Sequence, residues 1–158
     1  MDIQKKSFRI SPVRWAMSDA EVADGRRILR RSLAIWIGLI VAEIFHGLMR
    51  AMVLVPVVGE FRSNQIGVFS GSAIILAIAF ITIRWIGAKR PFELLMVGLN
   101  WLVLTVTFEV LFGRFVAGLS WERIAAAYDI TKGGLMPLGL LVLLISPMIA
   151  CELRTHRR

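Results

Sequence analysis

The sequence predicts an all-α membrane protein: a four-helix transmembrane bundle, both termini cytoplasmic, with a short interfacial helix in its second outer loop. Three observations carry that prediction. The chain is 57% hydrophobic, above the roughly 45–50% usual for soluble domains. Its apolar residues are gathered into four runs close to the ~20 residues a bilayer core requires. Its basic residues concentrate on one side of those runs. A chain of 158 residues suits a single bundle.

Residues 1–31 form a basic cytoplasmic segment containing Lys5, Lys6, Arg9, Arg14, Arg26, Arg27, Arg30 and Arg31. Ser18, followed by Asp19, Ala20 and Glu21, reads as a capping box that starts a helix. Gly25 weakens that helix by about 1 kcal/mol. This segment has no apolar core, so the expectation is an uncleaved signal-anchor rather than a cleaved signal peptide.

The transmembrane domain occupies 32–153, with spans at about 32–55, 66–87, 92–115 and 134–151, and a basic tail at 154–158. Pro56 closes the first span, while Pro137 and Pro147 predict kinks in the fourth. In the second span Gly67, Ser70, Gly71 and Ser72 form a small-residue patch suited to close helix packing. Arg84 at its far end is expected to snorkel. Asn100 in the third span lies on the opposite face from Glu109 and should hydrogen-bond a neighbouring helix. In the second outer loop Ser120 reads as an N-cap. Trp121, Ile124, Ala125 and Tyr128 then recur at helical spacing and give an amphipathic helix for the membrane interface.

Orientation follows from the basic residues. Arg84, Lys89 and Arg90 join the N-terminal group on one side, as do Arg154, Arg157 and Arg158. The opposite loops hold Arg62, Arg123 and Lys132, with Arg50 and Arg114 near helix ends on that side. The richer side is assigned to the cytoplasm, and a bacterial inner membrane fits the compact loops and arginine-rich flanks. The net charge of +8 then reflects topology and attraction to anionic lipid, and nucleic-acid binding is set aside because no base-reading motif accompanies it. One cysteine, Cys151, excludes an intramolecular disulfide and a cysteine-cluster metal site; it reads as a small apolar residue near a helix end.

The two halves resemble each other. Trp36, Glu43, Gly47 and Arg50 precede a loop with Glu60 and Arg62; Trp101, Glu109, Gly113 and Arg114 precede one with Glu122 and Arg123. Each half makes one hairpin starting from the basic side, so a duplication would be parallel, about an axis along the membrane normal. The matches are short, and coincidence stands as the competing explanation.

The candidate site is the stretch Ala42 to Arg50. Glu43, His46 and Arg50 fall within an arc of about 60° on one helix face, and ionisable groups in such a span are costly and rare. Depth counted from Ser32 puts Arg50 about 27 Å in, against about 25 Å for Glu109 counted from Phe92. The sequence therefore predicts an Arg50–Glu109 pair, with Arg114 in the same cluster and Glu60, Arg62, Glu122 and Arg123 around an outer mouth.

The Glu43-x-x-His46 step matches one Glu-x-x-His step of bundle di-iron sites, but the second such step and the further carboxylates are missing, so neither a metal nor another cofactor is predicted. Three functions compete. The leading one is transport or proton/ion coupling through Glu43, His46 and Glu109. The second is a membrane enzyme acting on a lipid or phosphate group, with arginines gripping the anion and Glu43 or His46 as base. The third is an assembly subunit whose charges are structural. Expected partners are the bilayer, anionic lipid at the basic face, and a second copy or a larger membrane complex.

Overall fold

The computed structural model describes residues 19–156. Ser18 of the expected capping box, the basic residues Lys5, Lys6, Arg9 and Arg14, and Arg157 and Arg158 of the tail lie outside the described residues. Among the described residues the regular structure is all helical: α1 (Asp19–Val53), α2 (Val55–Val58), α3 (Glu60–Ile86), α4 (Pro91–Leu111), α5 (Trp121–Tyr128) and α6 (Met136–Thr155). Helices α1, α3, α4 (with the turn that follows it) and α6 are long and apolar enough to cross a membrane.

The helices outrun the apolar runs, because the backbone ladder needs no apolar side chains to continue. Gly25 does not interrupt α1. Gly59, at φ +81°, turns the chain so that α3 begins at Glu60, six residues ahead of the apolar run. Pro91 occupies the first turn of α4, where its missing N–H costs nothing, and the Glu93 carboxylate accepts from the backbone N–H groups of Lys89 and Arg90 at 2.9 and 3.1 Å. A π-helical turn, Phe112–Val116, ends this span. Ser120 caps α5 as expected, its hydroxyl accepting from the Arg123 N–H at 3.3 Å.

The prolines of α6 behave differently from one another. Pro137 sits in the first turn and so starts the helix rather than kinking it. Pro147 is inside the helix and buried. It cannot donate to the Leu143 carbonyl four residues back. The Ser146 hydroxyl donates to that oxygen instead, at 2.9 Å, and the helix runs on to Thr155.

Packing follows a ring, α1–α3–α6–α4 and back to α1. Helices α3 and α4, consecutive in the chain, share no packed seam. The core runs through the half of the ring near the ends of α3 and α6, where Leu39, Ala79, Ile83, Val97, Trp101, Leu143 and Ala150 are buried together. Two hydrogen bonds tie α4 to α1 there: the Trp101 indole N–H donates to the Ser32 carbonyl at 2.9 Å, and the Asn100 amide to the Ser32 hydroxyl at 2.8 Å. Asn100 thus bonds a neighbouring helix, as its position opposite Glu109 implied. Between α4 and α6 the helices touch backbone to backbone, and a Cβ on Gly98 would run into the Leu144 carbonyl.

Outward faces are apolar. Ile37, Val41, Ile44, Phe45 and Leu48 on α1, Phe69 and Ile81 on α3, Val103 on α4 and Leu141 on α6 are all exposed. Arg26, Arg27, Arg30, Arg31, Arg84, Lys89, Arg90 and Arg154 fall where α1 and α4 begin and α3 and α6 end, together with Asp19, Glu21, Asp24, Glu93 and Glu152; Arg50, Glu60, Arg62, Arg114, Glu122, Arg123, Asp129 and Lys132 fall toward the other end.

Candidate functional site

The seam between α1 and α3 is built from small residues on one side and charged ones on the other. Gly71 leaves a notch into which the Glu43 carboxylate fits; a Cβ there would lie 2.9 Å from Glu43 Oε2. One turn earlier on α3, Gly67 leaves a second notch for Arg50, whose Cδ would lie 2.6 Å from such a Cβ. The small-residue patch therefore seats polar side chains, a use that spacing alone did not reveal.

His46 lies between these notches. Its Nε2 is 2.8 Å from Ser70 Oγ and its Nδ1 is 3.3 Å from Glu43 Oε2. The Ser70 hydroxyl proton points back to the Ile66 carbonyl at 2.9 Å, a bond common for serine in helices. Ser70 Oγ is then the acceptor, and His46 Nε2–H the donor. In the tautomer that carries a proton on Nε2, Nδ1 faces Glu43 Oε2, and a proton between them would complete that hydrogen bond. With the proton on Nδ1 the pair is imidazolium and carboxylate; with it on Oε2 the pair is imidazole and carboxylic acid. The other carboxyl oxygen, Glu43 Oε1, is sealed from solvent and has no partner.

Arg50 does not meet Glu109. Its Nη1 donates to Ser63 Oγ at 3.2 Å and to Asn64 Oδ1 at 2.5 Å, both on α3. Equal depth misled the prediction: Arg50 faces α3, whereas Glu109 is on α4, on the other flank of α1. Glu109 forms no ion pair among the described residues and is exposed on the bundle surface, within electrostatic range of Glu43. Its second electrostatic neighbour is Tyr128 of α5. Burial first, and the nearby Glu109 charge second, push the Tyr128 phenol above its ordinary range; its buried hydroxyl has no partner. Tyr128 was read from the sequence as one of an aromatic stripe, because periodicity reports a face and says nothing of a hydroxyl.

The remaining predicted residues lie at the same end but do not converge. Arg123 bonds Glu60 at 2.7 Å, joining α5 to the start of α3, with both side chains well exposed. Arg114 donates to the Leu119 carbonyl at 3.2 Å and lies over the Trp121 ring at 5.6 Å. A hydrogen bond from its own backbone N–H, and then one with the Ser120 side chain, hold the Glu122 carboxyl below the usual carboxylate range. Arg62 is exposed in the first turn of α3. Aromatic rings run beside Glu109: Trp36 of α1 meets Phe108 edge-on at 6.5 Å and Phe108 stacks on Phe112 at 5.3 Å, while the Trp36 indole donates to Thr105 at 3.0 Å. Among the described residues no three His, Cys, Asp or Glu side chains gather as metal ligands would. The chain matches no known protein family, no curated protein and no solved structure.

Proposed function

We propose that this chain is a multi-pass membrane protein in which Glu43, His46 and Ser70 form a proton relay, serving proton-coupled transport. Its basic end faces the cytoplasm, and α5 lies in the opposite interface with Trp121 toward the lipid. The exposed apolar faces of the four long helices support the membrane setting. The observation that carries the relay is the His46 ring, held by Ser70 on one nitrogen and facing Glu43 with the other. Intramembrane Glu and His groups in such contact are the usual elements of proton pathways. Glu109 and Tyr128 extend the same group of acids toward α5, each within electrostatic range of the next.

The enzyme reading draws less support. It needs arginines converging on an anion, whereas Arg50, Arg114 and Arg123 each already hold a partner within the protein.

The test is proton flux into liposomes carrying the purified protein, driven by a membrane potential and followed with an internal pH dye. Wild-type protein is expected to exceed empty liposomes. Glu43→Gln and His46→Gln should lose most of that flux at equal protein content, and Ser70→Ala should lose part of it. Full flux in both Glu43→Gln and His46→Gln, or wild-type flux no faster than empty liposomes, defeats the reading.

A further inference from the structure

At the basic end, the last turns of α3 and α6 and the turn after α3 line a cleft of about 620 Å³. Its walls divide by chemistry. Phe80 and Ile83 form an apolar side, and Arg84, Lys89 and Arg154 a charged rim. No carboxylate lines it.

Neighbouring basic residues have partners. Arg27 pairs with Asp24 at 2.9 Å, Arg90 approaches Glu93 at 3.8 Å, and Arg31 donates to the Trp85 carbonyl at 2.7 Å. Arg84 forms no ion pair or side-chain hydrogen bond among the described residues, and the Lys89 ammonium forms none either, though its charge lies within electrostatic range of Glu93. Arg154 is held in place over the Phe80 ring at 4.7 Å, which leaves its N–H groups free to donate around the ring edge. The C-terminal ends of α3 and α6 together bring about one negative charge, so an excess of positive charge remains. Gly87, in the left-handed region at φ +87°, ends α3 and turns the chain so that Lys89 reaches the same cleft as Arg84.

We infer that this cleft binds an anionic phospholipid, with its phosphate between Arg84, Lys89 and Arg154 and the start of its acyl chains against Phe80 and Ile83. Charge complementarity selects the headgroup, and the apolar wall beside the charges selects a lipid over a free anion. The site rests on the membrane reading above but is independent of the proton relay, which lies near the other end of the bundle.

Cys151 is the protein's single cysteine and borders the cleft, so its reaction rate with a maleimide reports occupancy. The experiment uses the full chain in detergent micelles, titrated with phosphatidylglycerol, phosphatidylcholine or inorganic phosphate. Phosphatidylglycerol is expected to slow labelling, and the other two are not. The double variant Arg84→Gln/Lys89→Gln should raise the concentration for half-protection about 25-fold, near fivefold for each cation removed. Arg62→Gln at the opposite end should leave it unchanged. Equal protection by phosphatidylcholine reduces the cleft to an apolar groove, and equal protection by inorganic phosphate makes it a free-anion site; either result overturns the inference, as does no protection at all. If the double variant does not fold, lipid selectivity on the unmodified protein decides. Loss of lipid selectivity with normal proton flux would remove this site and leave the relay standing.

Discussion

The two hairpins of the bundle use glycine for opposite ends. In the α1–α3 seam, Gly67 and Gly71 make room for charged side chains, and Arg50 and Glu43 fill the space. In the α4–α6 seam, Gly98 makes room for a carbonyl of the partner's backbone, and the surroundings are Trp101, Val97 and Leu143. One seam is polar; the other is close and dry. The difference also bears on the resemblance between the halves. Glu43 sits in a notch with a histidine beside it, while its counterpart Glu109 is exposed without a cation. Gly47 faces open space, while Gly113 packs against Ile124 and Leu119. Whatever their history, the paired positions have different surroundings, and the polar seam belongs to one hairpin.

The contrast can be broken most strongly at Gly98. A methyl group there strikes backbone, which cannot rotate away, so Gly98→Ala should cost about 3 kcal/mol, measured as thermal stability in detergent. Wild-type stability in that variant would show that close approach is not what holds the dry seam. Trp101→Phe comes next. It removes the indole's bond to the Ser32 carbonyl and leaves a gap in a fully buried setting, at about 2 kcal/mol. Gly71→Ala is milder for stability, about 1 kcal/mol, because the obstacle is the end of the flexible Glu43 side chain. Its larger effect should fall on proton flux, since the Glu43–His46 contact must shift. A variant that unfolds as readily as Gly98→Ala would erase the distinction between the seams.

Two smaller effects sharpen the picture of the end that carries α5. Tyr128 is the only tyrosine, so tyrosinate absorbance in an alkaline titration reports it alone. The Glu109 charge helps hold the phenol protonated; removing it in Glu109→Gln should move the titration to lower pH, and an unmoved midpoint would separate the two groups. Glu60→Gln breaks an exposed ion pair with Arg123 and should change stability by less than about 1 kcal/mol.

Hydropathy and turn chemistry made much of this architecture legible in advance. The four long helices, the Ser120 cap, and the pairing of Asn100 across helices all follow from patterns along one strand of sequence. What stayed hidden depends on which faces meet. Depth arithmetic put Arg50 level with Glu109 but carries no information on azimuth relative to neighbours, and the ring order places α3, not α4, against Arg50. Ser70 read as a packing residue because nothing local marks a hydroxyl as the partner of a histidine 24 residues away. Gly98 drew no notice, since a lone glycine in an apolar run gives no sign of the carbonyl it approaches. The Leu143 carbonyl freed by Pro147 and taken up by Ser146 is the opposite case: both residues are adjacent in sequence, and the compensation could have been foreseen.

The order of helices around the ring differs from their order along the chain, and this constrains biogenesis. As the chain emerges, α1 and α3 can associate at once, and α4 then completes the second flank of α1. Yet α3 and α4 have no seam with each other, so each waits with an uncovered side until α6 settles between them. Closure of the ring is therefore decided when α6 emerges. A chain cut before Met136 has two unfinished faces, one on α3 and one on α4.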